Sequence, residues 1–286
     1  MDKQKRRVDI LVLSDIHLGT YGCHAKELHY YLKSVKPGMV VLNGDIIDVW
    51  QFSKSYWPQS HMKVVKHFFK WIGKGVKIYY IAGNHDEMMR RFVGMKLGSL
   101  SVENKILLTL PDGKKAWIFH GDVFDITMQH SRWLARLGAK GYDMLILLNR
   151  FCNFISERIL HRGKLSLSKK IKESVKSAVA YINNFEEISA EIGISKNYDY
   201  VVCGHIHHPE IREITNDEGT ITYLNSGDWV ENLSALEFVG GAWSIYRFSL
   251  ADQAQMIMDA EEEEEEQENA SRLFDNMLAE FNMLRS

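Results

Sequence analysis

The chain has 286 residues, is 45% hydrophobic and 25% charged, and carries a formal net charge of −2. This balance suits one large globular α/β domain with an insertion and excludes a disordered or fibrous chain; it also lacks the overall basic excess of nucleic-acid binders. Cys23, Cys152 and Cys203 are widely spaced with no Cys-x-x-Cys pair, which argues against a disulfide framework or zinc knuckle and makes a reducing cytoplasm the expected location.

The basic start, Lys3 to Arg7, leads into the apolar run Val8–Leu13. It superficially resembles a leader peptide, but Asp9 interrupts it and the run is short, so a first strand is expected. Asp15-Ile16-His17 follows, with alternate residues on one face of an extended segment. A helix is expected over His24–Val35. The strand-like run Met39–Leu42 then ends in Asn43-Gly44-Asp45-Ile46-Ile47-Asp48, where the glycine allows a sharp turn that brings Asp45 over the strand end. A second helix over His61–Ile72 and a third strand-like run, Val76–Ala82, lead to Gly83-Asn84-His85-Asp86. This alternation of strand and helix predicts βαβ units and a largely parallel sheet. Arg90 and Arg91 come next and can pair with a phosphate bidentately.

Runs at Ile106–Leu110 and Ala116–Phe119 precede His120-Gly121-Asp122. Residues 124–194 contain no proline and have apolar residues at helical spacing, which predicts a long helical insertion. Between Thr127 and Tyr181 it holds eleven basic against three acidic residues. Such a basic lid can attract an anionic substrate and rest on an anionic membrane surface; equally, its charges can form a solvated outer face. Together with Ile106–Leu110 and Ala116–Phe119, runs at Tyr200–Cys203, Thr220–Leu224, Ala235–Phe238 and Ala242–Phe248 suggest a second, mixed sheet facing the first, with Gly204-His205-Ile206-His207 after the Tyr200–Cys203 run. Residues 250–286 hold the acidic run Glu261–Glu266 and an apolar stripe, Leu273 to Leu284, that can dock on its own domain, on another subunit or on lipid. No stretch approaches the roughly 18 apolar residues of a membrane span, so any membrane contact would be peripheral.

Seven potential ligands (Asp15, His17, Asp45, Asn84, His120, His205 and His207) thus sit in five clusters, each after an apolar run. Two divalent ions about 3.5 to 4 Å apart can share one carboxylate and bind both oxygens of a phosphate, and three Asp/Asn with four His is the donor list such a pair needs. Asp45 is the candidate bridge. His85 is left free for proton transfer to a leaving oxygen, or to hold a reactive water, with Asp86 available to orient it. Asp48 and Asp122 are assigned to supporting imidazoles or backbone amides. Oxygen and imidazole donors without thiolate suit Mn²⁺, Fe²⁺ or Zn²⁺.

Asp15-x-His17, Gly44-Asp45-x-x-Asp48, Gly83-Asn84-His85-Asp86, His120-Gly121-Asp122 and Gly204-His205-x-His207 resemble the five motifs of the calcineurin-like metallophosphoesterase superfamily, over residues 8 to about 249. The resemblance implies a four-layer α/β/β/α sandwich with a helical lid: a catalytic domain over 1–249, the lid at 124–194 within it, and the tail 250–286. It implies one metal held by Asp15, His17, Asp45 and His207, a second held by Asp45, Asn84, His120 and His205, and Mn²⁺ as the favoured ion. Ser14-Asp15-Ile16-His17-Leu18-Gly19, the long insertion and Asn225-Ser226-Gly227-Asp228-Trp229-Val230-Glu231 are similar to the UDP-2,3-diacylglucosamine diphosphatases of lipid A synthesis. In the best-known of these, Arg stands where this chain has His85. This resemblance implies hydrolysis of a nucleotide-linked lipid to UMP and 2,3-diacylglucosamine 1-phosphate at the cytoplasmic membrane face, with Asn225, Asp228 and Trp229 lining the site. A phosphoesterase for a phosphoprotein, cyclic nucleotide or nucleic acid, and a non-catalytic scaffold, are the other readings; nucleic acid is not an expected partner.

Overall fold

The computed structural model describes residues 5–51, 56–125, 182 and 184–261. In chain order these form β1 (Arg6–Leu13), α1 (Ala25–Ser34), β2 (Val35–Asn43), α2 (Gln59–Gly73), β3 (Lys77–Ile81), β4 (Lys96–Leu97), β5 (Leu100–Glu103), β6 (Lys105–Thr109), β7 (Lys115–Phe119), β8 (Tyr200–Cys203), β9 (Glu210–Asn216), β10 (Gly219–Asn225), β11 (Ser234–Val239) and β12 (Ala242–Arg247). Short 3₁₀ turns lie at Glu87–Phe92 and Asp122–Asp125, and 184–195 and 250–261 are helical.

One sheet has the order β12-β11-β1-β2-β3-β5-β4 and the other β6-β7-β8-β10-β9. In the first, β1, β2, β3 and β5 are mutually parallel, and in the second β7, β8 and β10 are. Parallel strands covered on both faces read as continuous apolar runs, and Leu11-Val12-Leu13 shows why. Leu11 and Leu13 face α1 and α2, while Val12 faces the other sheet with Ile10, Val41 and Ile81. Opposite them stand Ile106, Ala116, Ile118, Val202 and Leu224. On the outer face of the second sheet, Phe119, Val201, Cys203, Ile221 and Tyr223 pack against Phe185, Ala190 and Ile194 of the helix 184–195. The layers therefore run helix, sheet, sheet, helix, as expected.

Both predicted helices form because their apolar residues recur every three or four positions. In α1 these are Ala25, Leu28, Tyr31 and Leu32; in α2 they are Val64, Phe68 and Trp71, with His61 and His67 on the same face.

One expectation is corrected. The runs at Ala235–Phe238 and Ala242–Phe248 do not join the second sheet; β11 pairs antiparallel with β1, and β12 with β11. The helix 184–195, at the end of the expected insertion, packs on the outer face of the second sheet. The strands β5 and β9 were not anticipated: β5 is four residues long, and β9 is an edge strand whose residues are exposed or half-buried, with no apolar alternation to read. The basic stretch from Arg132 to Lys176, the acidic run beyond Glu261 and the stripe Leu273 to Leu284 lie outside the described residues. Among the described residues no helix is long and apolar enough to cross a membrane.

Candidate metal centre

Each candidate ligand lies just beyond the carboxyl end of a strand: Asp15 and His17 after β1, Asp45 after β2, Asn84 after β3, His120 after β7, and His205 and His207 after β8. These strands belong to the parallel sets of the two facing sheets, whose carboxyl ends are where α/β sheets bind ligands. The turns are stitched together by backbone bonds: Asp15 N donates to Gly44 O (3.0 Å), His17 N to Asp45 O (2.9 Å) and Gly204 N to His120 O (3.0 Å).

The backbone at these turns is unusual. Asp15, His17, Asp45, His205 and His207 all have positive φ, between 50° and 68°. Such conformations cost non-glycine residues on the order of 1–3 kcal/mol each and persist only where the surroundings enforce them, typically at functional sites. Two glycines make the convergence sterically feasible. Gly44 has φ of +83°, and a Cβ on it would fall 2.2 Å from His120 Nδ1. A Cβ on Gly83 would fall 2.2 Å from Asp45 Oδ1.

Among the described residues the convergent atoms form three groups, Asp15 with His17 and His207, Asp45 with His120 and His205, and His17 with Asp48 and His85, each with its donor atoms within 4.8 Å of one another; the first two are made of expected ligands alone. His120 Nδ1 lies 2.8 Å from Asn43 O; donation to that carbonyl leaves Nε2 as a lone-pair donor, 3.4 Å from Asp45 Oδ2. His17 Nδ1 lies 3.2 Å from Asp48 Oδ2, so its Nε2 faces His207 Nε2 at 3.4 Å. Two imidazole lone pairs nose to nose repel unless a cation or proton lies between them. Nitrogens each about 2.1 Å from one ion, at ordinary ligand angles, are separated by about this distance.

Asn84 Oδ1 is buried without a hydrogen-bond partner, and so are Asp15 Oδ1 and His120 Nε2, whose contacts with His207 Nε2 at 3.2 Å and Asp45 Oδ2 at 3.4 Å fall outside hydrogen-bond geometry. Orphaned buried polar atoms are costly, and three of them within one oxygen-and-imidazole donor set fit a pair of divalent ions. Electrostatics agree. Burial pushes the Asp45 carboxyl up, but His120, His17 and His85 outweigh it and hold it well below the carboxylate range. Asp15 is likewise held down to about 2, chiefly by His207 against burial. Burial disfavours charge on His207, yet Asp15 raises it to about 9, and Asp45 raises His120 despite burial. The cavity demands positive charge, for which protons and metal ions compete.

His85 stands beside this centre with its ring 4.7 Å from that of His17. Its expected partner is corrected: Asp48 Oδ2, not Asp86, lies 2.8 Å from His85 Nδ1. Asp86 instead accepts from Tyr80 Oη, Gly83 N and Ile46 N, fixing the turns after β2 and β3. Burial depresses His85, but Asp48 and the charge on Asp45 raise it overall. The Trp50 ring, which the sequence did not single out, lies against His85 at 4.4 Å.

The residues expected to contact substrate divide into two partly or fully exposed arginines and three buried residues after β10. Arg90 is paired with Asp122, which occupies the side chain expected to be free for phosphate, while Arg91 is exposed. Asn225 is fully buried, donating to Gly204 O and accepting from Gly227 N. Asp228 is buried behind His207, its Oδ1 accepting from Val230 N and Glu231 N. Trp229 is core, with its ring 5.5 Å from Tyr31. These three brace the site from behind because the segment after β10 turns inward between the strand ends.

Residues 8–209 match the model of the calcineurin-like phosphoesterase family. Among curated relatives, the UDP-2,3-diacylglucosamine hydrolase of Aliivibrio fischeri is 25% identical, with 83% of this chain and 98% of the relative covered. That of Blochmanniella pennsylvanica is 22% identical, with 72% and 82% covered. A solved dimetal phosphatase from Danio rerio is 10% identical, with a TM-score of 0.41 over 83% of this chain and 95% of the other.

Proposed function

We propose, from the premise that the chain belongs to the calcineurin-like phosphoesterase family, that it cleaves the phosphoanhydride of UDP-2,3-diacylglucosamine to UMP and 2,3-diacylglucosamine 1-phosphate. Membership makes it a metal-dependent phosphoester hydrolase. The observation that carries the substrate is the similarity to hydrolases named for it over 72–83% of this chain. The basic stretch between Thr127 and Tyr181 supports an anionic substrate and peripheral contact with an anionic membrane.

In this reading Asp15, His17, Asp45 and His207 hold one ion, and Asp45, Asn84, His120 and His205 the other, with Mn²⁺ favoured. Bound there, the ions supply Lewis-acid charge for the phosphoryl oxygens and a water acidic enough to attack near neutral pH. The chain's own residues do the rest. Asp15 and Asp45 stay ionised. Asp48 Oδ2, 2.8 Å from His85 Nδ1, holds the ring by charge so that a proton on Nε2 can pass to the leaving oxygen. Trp50 covers the ring and limits water on that side.

The His85–Asp48 pair also favours a second reading, a phosphodiesterase. A phosphate leaves readily as an anion, whereas an alkoxide needs a proton in the transition state. A Mn²⁺-supplemented assay comparing UDP-2,3-diacylglucosamine with a generic phosphodiester tests both. UMP release that is absent from Asp45→Asn supports the lipid substrate; turnover of the phosphodiester alone selects the second reading.

A further inference from the structure

The turn that carries His205 and His207 has to be held from outside itself, since both residues have positive φ. One side is pinned by Asn232, whose Nδ2 donates to His207 O (2.8 Å) and to Asp228 Oδ2. The other side faces the helix 184–195. Phe185 of that helix packs so closely on the turn after β7 that a Cβ on Gly121 would lie 2.6 Å from its ring, and the ring is 6.2 Å from that of His205. The next residue, Glu186, is a carboxylate only 1% exposed, a poor place for a charge without partners. It has two: Arg212 Nη1 at 2.9 Å from Oε2, and His208 Nδ1 at 3.7 Å from Oε1. Arg212 lies in β9 and His208 directly follows His207, so Glu186 ties three separate parts of the chain together beside the strained turn.

We infer that Glu186 is a positioning residue for the candidate metal centre, acting through His208 to hold the His205–His207 turn in its ligating conformation. No motif marks it in the sequence. The helix that closes the second sheet is thereby coupled to the ions as well as to the core. This inference rests on His205 and His207 being ligands. Groups that orient ligands from behind typically change metal affinity 10- to 100-fold when removed.

The test is Mn²⁺ affinity and stoichiometry of the full chain by titration calorimetry, with the visible spectrum of the Co²⁺-substituted protein as a reporter of ligand geometry. Glu186→Gln should weaken Mn²⁺ binding about 10- to 100-fold and alter the Co²⁺ spectrum. His208→Asn, a change at a half-exposed side chain, should do the same. The double variant should be no worse than the stronger single one, because both act on one contact. His207→Ala is the control for the ligand reading: if it binds two ions with unchanged affinity, that reading fails, independently of Glu186. If His207→Ala loses metal while Glu186→Gln and His208→Asn only lower the melting temperature of the metal-free protein, with affinity and spectrum unchanged, the positioning role is overturned. Additive losses in the double variant would equally overturn action through His208.

Discussion

The candidate ligand set can be proposed from sequence because chemistry and position coincide locally: each donor follows an apolar run, Asp15-x-His17 offers both its donors to one group, and His205-x-His207 offers one donor to each group. Which carboxylate serves His85 was not readable. Asp86 is its neighbour in the chain, yet Asp48, 37 residues earlier, reaches its Nδ1 because Val49 N bonds to His85 O and draws the two turns together. This sets up a contrast between three variants. His85→Ala should lower kcat about 10²- to 10⁴-fold, the span of one acid–base group, with metal content retained. Asp48→Asn should lower kcat in the same direction by misorienting His85, whereas Asp86→Asn should chiefly lower the melting temperature by unseating Gly83 and Ile46. Kinetics with metal analysis on the three proteins checks this, and equal kinetic effects of Asp48→Asn and Asp86→Asn would contradict the assignment.

At the scale of elements, α1 and α2 were legible because a stripe repeating every three or four residues needs a partner surface, and the first sheet supplies it. The stripe of α2 includes His67, which is buried, with its ring 5.5 Å from that of His29 on α1. Burial, helped by nearby positive charge, pushes its pKa down to about 4. The folded protein therefore refuses a proton that the unfolded chain accepts near pH 6.5. Stability is full above that pH, falls as pH drops towards about 4, and is then level with respect to this group. The whole effect is at most about 3.5 kcal/mol, from roughly 1.4 kcal/mol per pH unit of separation. His67→Leu should flatten the denaturant-derived stability curve between about pH 6.5 and 4; an unchanged slope would show that His67 titrates normally in the fold. Strands β5 and β9 escaped notice because short or edge strands need bury no alternating face, and what makes them strands is the neighbour they pair with.

At the scale of the whole molecule, the centre joins turns from both sheets, so ions bound there bridge the sandwich. Removing metal with a chelator should leave a cooperative unfolding transition, since the three apolar clusters do not involve the ligands. It should also lower the melting temperature, because a ligand at 100 times its Kd adds about 2.7 kcal/mol. Added Mn²⁺ should restore the transition, and calorimetry with and without Mn²⁺ measures it; a melting temperature indifferent to metal would argue against a bridging site. By itself the sequence placed both early helices, most of the strands and the seven candidate donors, because apolar periodicity and donor type are properties of short segments; the layer order came from the family resemblance of its motifs. Only the tertiary structure decided that β11 pairs with β1 and β12 with β11, that Asn225, Asp228 and Trp229 are buried behind the site, and that Asp48 meets His85. Those outcomes depend on which distant strands pair and which side chains are buried between them, and that choice is made by the packing of the whole chain.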